Sequence, residues 1–293
     1  MKSYSERVRS TPEFQKFAEE FEKDVYKFKN ALNEVVEKNA PLDINDLLQD
    51  TLALLHNSTQ NVHIFEMINN MRQYDDSTYA HSINVALIAN VLATWLGMKE
   101  KDILMVTQCG LLHDIGKLRI PDRIIKKPGK LTEEEFNIVK THPYAGHEIL
   151  TKQKMNPRIV NSAMMHHERC DGTGYPFGLT SERIDDFAKI ISIADVYDAM
   201  TSARVYRGAM CPFKVIEIFE NEGLQKYDTK YILTFIQNVL NTYIQSRVRL
   251  SDGRTGEVIM INKQFLSRPL IRSGSSYIDL SKEPDAVYIE EII

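Results

Sequence analysis

His113-Asp114-Ile115-Gly116-Lys117 is the stretch from which the fold of this 293-residue chain is read. His81 lies 32 residues before it, His142 lies 29 after His113, His166-His167 begins 24 further on, and Asp195 follows 29 after His166. Each interval is about one helix plus a connection, so the groups are expected on successive helices that face a common centre. Imidazole nitrogens and carboxylate oxygens without thiols form a ligand set suited to Fe, Mn or Zn. An Asp beside a His can bridge two ions while the His binds one of them, and two ions about 3.5–4 Å apart clamp a phosphoryl group and activate a water. His81, His113, Asp114, His142, His166, His167 and Asp195 exceed what one mononuclear site needs. Their number therefore favours two divalent metal ions. His56, His63 and His147 lack that spacing and are read as ordinary structural histidines.

Outward from this constellation the pattern stays helical. Ser82 to Leu96 carries Val85, Ile88, Val91, Leu92 and Trp95 on a helical period, and Thr132-x-x-Glu135 is a capping box that opens a helix after the Lys127–Lys130 turn. Upstream, Ser10 or Thr11 with Pro12 and Glu13 reads as a helix start. Phe14, Phe17, Phe21, Val25, Phe28, Leu32 and Val35 follow with a mean spacing of 3.5 residues, and Asn39-Ala40-Pro41 ends the run. Such a stripe either packs on the rest of its own chain or serves as a signal-input helix or the seam of a homodimer through the N-terminal helices. Two more helical stretches lie near Asn45–His56 and Val62–Arg72. At Arg247 the period changes to two: Val248 and Leu250, the Asp252-Gly253 turn, Val258, Met260 and Asn262, then short strands near Leu270 and Val287. The expected organisation is an α-helical region over 1–73, a helical catalytic domain over 74–246 and a small β-rich extension over 247–293.

Composition limits the function. With 36 basic against 40 acidic residues the net charge is −4, so the chain has no global basic field for polymeric nucleic acid or a membrane surface. A small anionic substrate needs a local positive site instead. Cys109, Cys170 and Cys211 are too scattered for a disulfide framework, which suits a reducing compartment. The opening MKSYSERVRS has no apolar core of a secretory signal, and the most apolar stretch, Ile83–Met98, is too short to span a bilayer. A cytoplasmic protein without a membrane span is the expectation.

From Asp75 through Met210 the text closely resembles the HD-GYP family of cyclic dinucleotide phosphodiesterases, within the HD superfamily of metal-dependent phosphohydrolases. The resemblance rests on His81-Ser82, on His113 through Lys117, and on Lys127-Pro128-Gly129-Lys130-Leu131-Thr132. It continues with His142-Pro143 and Gly146, the run from His166-His167-Glu168-Arg169 to Gly174-Tyr175-Pro176, Ala194 through Ser202, Arg204, and Tyr206-Arg207. It implies a mainly α HD-type helical bundle and a hydroxide between two metals, Fe or Mn, that opens cyclic di-GMP to pGpG and then GMP. It makes the seven residues metal ligands, with Asp114 bridging. Lys117, three residues past Asp114 on the same helix face, would reach a substrate phosphate. Gly174, Tyr175 and Pro176 would line the guanine or ribose side, and Arg204 and Arg207 would contact phosphate or base. A diguanylate cyclase is the implied partner that supplies substrate. Some members carry a Glu four residues before the first ligand His to hold a third metal; Ser77 stands there, so two metals are expected. Ala203 and Val205 replace the Asp and Pro frequent near the substrate. Hydrolysis of 3',3'-cGAMP, or a signalling adaptor acting through protein contacts, are the competing readings.

Overall fold

Helix α2 (Pro12–Lys38) starts where the sequence places it. Thr11 caps it by accepting from Phe14 N, and Asn39, in the left-handed region at φ 53°, ends it. The structure, a computed structural model, describes residues 4–57, 61–71, 78–202 and 210–293. Before α2 lies α1 (Tyr4–Arg9), and after it α3 (Ile44–Asn57) and α4 (Asn61–Met71). The body runs through α5 (Thr78–Trp95), α6 (Glu100–Leu112), a 3₁₀ turn over Ile115–Arg119, α7 (Asp122–Ile125) and α8 (Glu133–Val139). It continues with α9 (His142–Lys152), α10 (Pro157–Met165), α11 (Asp186–Thr201), α12 (Pro212–Ile218), α13 (Leu224–Lys226) and α14 (Thr229–Asn241). The fold is mainly α with a small C-terminal sheet.

Helix α5 is mostly apolar and buried around its whole circumference, with Ile83 through Ala93 all buried. Such a helix belongs at the centre of a bundle rather than on its surface. Helix α6 lies against it because Gly110 has no side chain: a Cβ there would collide with the backbone of Ala86. The backbone of Gly116 likewise presses on the His142 carbonyl and Gly146 N, which binds the 3₁₀ turn to the start of α9. These two close approaches bring His81, His113, Asp114 and His142 within reach of one another.

The seven apolar residues of the α2 stripe are buried in the same core as α3, α4 and α5. Its own chain fills that face, so the stripe is not also a seam between two copies. Phe65 of α4 joins the body through Trp95, stacked at 5.6 Å, and through Tyr197 and Phe235, edge-on at 5.8 and 6.2 Å.

The sheet comprises β1 (Arg247–Leu250), β2 (Thr255–Met260), β3 (Leu270–Ser273), β4 (Ser276–Asp279) and β5 (Ile289–Ile292), all antiparallel in the order β4-β3-β2-β1-β5. Strand β4 pairs with β3 across a tight turn at Gly274, φ 61°, and Asn262 lies beyond the end of β2. Val248, Leu250, Val258, Ile271, Ile278 and Ile289 join the helical core, so the extension is packed on the body. Glu220 adds a polar tie, accepting from Leu266 N, Ser267 N and Ser267 Oγ at 2.7, 3.1 and 2.6 Å. Among the described residues no helix is long and apolar enough to cross a membrane.

One acid interrupts the apolar face of α2. Asp24 is buried, accepts from Thr51 Oγ1 at 3.0 Å through one oxygen, and its other oxygen has no partner. Burial raises its pKa to about 7, the Thr51 hydrogen bond opposing and the Asp50 charge adding to the rise. A carboxyl raised in the folded state contributes stability fully present below its unfolded pKa near 4, and loses it as pH rises to about 7. The loss is about 1.4 kcal/mol per pH unit in that window. Asp24→Asn, which mimics the protonated acid, should raise Tm at pH 8 and leave it nearly unchanged at pH 4; thermal unfolding at both pH values checks this.

Candidate metal centre

Asp114 is 1% exposed and caps the 3₁₀ turn, with its carboxylate in the middle of the histidines. Its two oxygens face different partners. Oδ2 lies 3.4 Å from His113 Nε2 and 3.7 Å from His81 Nε2; Oδ1 lies 3.3 Å from His142 Nε2 and 3.6 Å from His166 Nε2. The donor atoms form two groups that share Asp114, one with His81 and His113, the other with His142, His166 and His167, and within each they lie no more than 4.8 Å apart. Asp195 Oδ1 is 3.1 Å from His81 Nε2, and its Oδ2 is 3.8 Å from His167 Nδ1. The structure thus brings together all seven residues singled out in the sequence.

Helix ends orient the imidazoles. His113 Nδ1 donates to Gly110 O at 2.7 Å, His142 Nδ1 to Val139 O at 2.7 Å, and His166 Nδ1 to Ala163 O at 3.0 Å. Those carbonyls belong to the last turns of α6, α8 and α10, which lack intrahelical partners of their own. A carbonyl only accepts, so each Nδ1 carries a hydrogen and each Nε2 is the atom turned toward the centre. His142 Nε2 and His166 Nε2 then face each other at 3.2 Å, a separation that suits two neighbouring donors to one ion. His113 Nε2 and Asp114 Oδ1 are buried without a hydrogen-bond partner. Buried nitrogen and oxygen atoms without partners, in an all-N/O donor set, fit divalent metal ions.

Charge agrees with geometry. Burial opposes ionisation of Asp114, but Lys117 and His113 overcome it and hold the carboxyl well below its usual range. Asp195 is held low in the same way, chiefly by its hydrogen bond to His81 against the cost of burial. Burial and neighbouring histidines push His166 down to about 4 and His167 well below its ordinary value, so both are neutral at pH 7. Burial would lower His81 too, but its bonds to Asp195 and Asp198 raise it to about 9. The proton it holds is one a metal ion would displace.

Some expectations are corrected. One helix per interval fails between His113 and His142, where the 3₁₀ turn, α7 and α8 intervene, and most of these residues sit at helix ends rather than on helix faces. Lys117 is on a 3₁₀ turn, where residues three apart eclipse, and its ammonium contacts Asp114 directly. Gly174 packs so closely that a Cβ would strike the backbone of His167, Glu168 and Arg169. Tyr175 stacks on His167 at 4.6 Å, and the Tyr175–Pro176 peptide is cis. His147 belongs to neither donor group. Ser77, Ala203, Arg204, Val205 and Arg207 lie outside the described residues, as do the side chains of His56 and His63.

Two residues were not singled out from sequence. Asp198 accepts from His81 Nδ1 at 2.7 Å, so that His81 has the carboxylate–imidazole pairing typical of a metal ligand. Its spacing of three from Asp195 on α11 was the available signal. Buried Glu168 accepts from Phe177 N at 2.7 Å and Leu179 N at 2.8 Å, pinning the loop behind Tyr175.

Residues 44–231 match the HD domain family. Among curated proteins, cyclic di-GMP phosphodiesterase PA4108 of Pseudomonas aeruginosa is 36% identical over 203 residues, 69% of this chain and 49% of that protein. The cyclic di-GMP phosphodiesterase response regulator RpfG of Xanthomonas campestris is 42% identical over 137 residues, 46% of this chain and 36% of that one. The 3'3'-cGAMP-specific phosphodiesterase 1 of Vibrio cholerae is 39% identical over 167 residues, 57% and 39% of the two chains. This chain therefore spans half or less of the length of these relatives. Among solved structures, Bd1817, an HDG"Y"P protein from Bdellovibrio bacteriovorus, aligns with a TM-score of 0.54 at 18% identity, over 74% of this chain and 70% of that one. That likeness is one of fold.

If Asp198 orients His81 toward a metal, Asp198→Ala should weaken Mn²⁺ binding about 10–100-fold, read by titration calorimetry. Unchanged affinity would exclude that role.

Proposed function

The chain belongs to the HD domain family, and from that premise and the shared carboxylate of Asp114 we propose that it is a metal-dependent phosphodiesterase that hydrolyses cyclic di-GMP to pGpG and, by a second cut, to GMP. The observation that carries this reading is the division of Asp114 between two donor groups, one oxygen toward His81 and His113 and the other toward His142 and His166. His81, His113, Asp114 and Asp195 would hold one divalent ion, and Asp114, His142, His166 and His167 the other; the N/O donors suit Fe, Mn or Zn, and the family resemblance points to Fe or Mn. When bound, such a pair supplies a hydroxide at neutral pH and neutralises charge on the phosphoryl oxygens.

The protein's own groups do the rest. Asp114 and Asp195 stay ionised and His166 and His167 stay neutral, so these ligands have no proton to lose before they bind. Lys117, held against Asp114 and partly open to solvent, is positioned to turn its ammonium onto a substrate phosphate. Arg204 and Arg207 are proposed to add phosphate or base contacts, and Gly174, Tyr175 and Pro176 to line the side of the sugar and base. A net charge of −4 is no obstacle when the metals and these cations gather positive charge in one place.

Relatives named for cyclic di-GMP and for 3'3'-cGAMP both support a cyclic dinucleotide, and they leave 3',3'-cGAMP as the second substrate to test. Protein loaded anaerobically with Fe²⁺ or Mn²⁺ should convert cyclic di-GMP to pGpG in a chromatographic time course, and faster than 3',3'-cGAMP in equimolar competition. Absence of any linear product with both metals bound would refute the proposal. Asp114→Ala should lose metal and activity together, by at least about a hundredfold in rate, with metal content read by mass spectrometry.

A further inference from the structure

Beside the histidine cluster is a group of aromatic side chains that no step above uses. Tyr144 and Phe177 are 47% and 52% exposed, and their rings meet edge-to-face at 5.7 Å and 77°. Phe136 is 43% exposed nearby, with Lys140 Nζ 4.8 Å above its ring and 5.9 Å from the ring of Tyr175. Large apolar rings left in water at one place generally mark a binding surface.

Their attachment says which. Tyr144 is in the first turn of α9, two residues after His142. Phe177 is two residues after Tyr175, which itself stacks on His167. Its backbone is pinned by the buried carboxylate of Glu168, the residue next to His167. Both rings are therefore fixed through rigid backbone to donor-group residues, as a substrate-orienting surface must be. In an edge-to-face pair only one face of one ring is covered by the other, and with about half of each residue exposed a third flat ring has room to stack on one and meet the edge of the other. Lys140 supplies positive charge over Phe136 and beside Tyr175, the ring two residues before Phe177, which suits an electron-rich heterocycle on an anionic backbone.

We propose that Tyr144 and Phe177 form the platform on which a purine base of the substrate stacks while its phosphodiester lies at the metal centre. This rests on the cyclic dinucleotide reading above and names residues that set substrate affinity. Glu168 is then a positioning residue, acting through the Phe177 backbone.

The test uses the metal-loaded full chain with cyclic di-GMP. Alanine replacement of a ring that stacks on a base weakens binding by about tenfold. Tyr144→Ala and Phe177→Ala should each raise KM by about that factor while kcat changes far less, and the conservative variants Tyr144→Phe and Phe177→Tyr should restore KM. Metal content, measured on the same samples, should equal that of the wild type. If the wild type cleaves cyclic di-GMP and both alanine variants keep its KM, the platform is refuted and the patch is left to a protein partner, with the phosphodiesterase reading intact. If the wild type neither binds nor cleaves a cyclic dinucleotide, both proposals fall. A KM rise that Tyr144→Phe and Phe177→Tyr do not reverse would also overturn stacking as its cause.

Discussion

A carboxylate with 1% exposure, placed among four imidazoles, is the constraint around which this protein is organised. Alone, a buried charge of this kind is strongly unfavourable. Asp114 is ionised because Lys117 and His113 stand beside it, and its oxygens are divided between two histidine groups. Everything that positions those groups follows from helix packing. Gly110 lets α6 lie on α5, and Gly116 lets the 3₁₀ turn lie on α9. Neither glycine has chemistry of its own, yet both decide where the donor atoms meet.

The imidazoles depend on a second physical device. Helix termini leave carbonyls without partners, and three such carbonyls, from α6, α8 and α10, each take a histidine Nδ1 hydrogen. One bond thus satisfies the helix end and turns the opposite nitrogen toward the centre. His81 is different because it lies within α5, so it takes its orientation from the side chain of Asp198. The aim of each of these imidazoles thus comes from one short contact at its Nδ1.

The surrounding parts stabilise this frame. The α2 stripe and the inward faces of β1, β2, β3, β4 and β5 share one core with α5 and α11, so the N-terminal helices and the sheet are continuous with the body. Phe65 of α4 reaches Tyr197, which lies on α11 between Asp195 and Asp198. Packing of the N-terminal helices therefore extends to the helix that carries two carboxylates of the centre.

Much of this was legible without coordinates. Period and capping chemistry are local, so Pro12, Asn39 and the Thr132–Glu135 box marked real helix ends, the structure choosing Thr11 over Ser10 as the cap, and the α2 stripe marked a buried face. The spacing of His81, His113, His142, His166 and Asp195 pointed to one centre, since these residue types repeat at roughly helix-plus-turn intervals. Sequence did not distinguish a stripe that packs on its own chain from one that joins two chains, because both need the same apolar period. Nor did it show β4, a short strand with half its residues exposed. The roles of Asp198 and Glu168, and the meeting of Tyr144 with Phe177, were decided only by tertiary structure. Each depends on the distance and angle between residues far apart in the chain or on different elements, and periodicity along one element has no information about that. The sequence by itself determined the donor types and the helical frame; the packing of helix ends determined which oxygen of Asp114 faces which histidine.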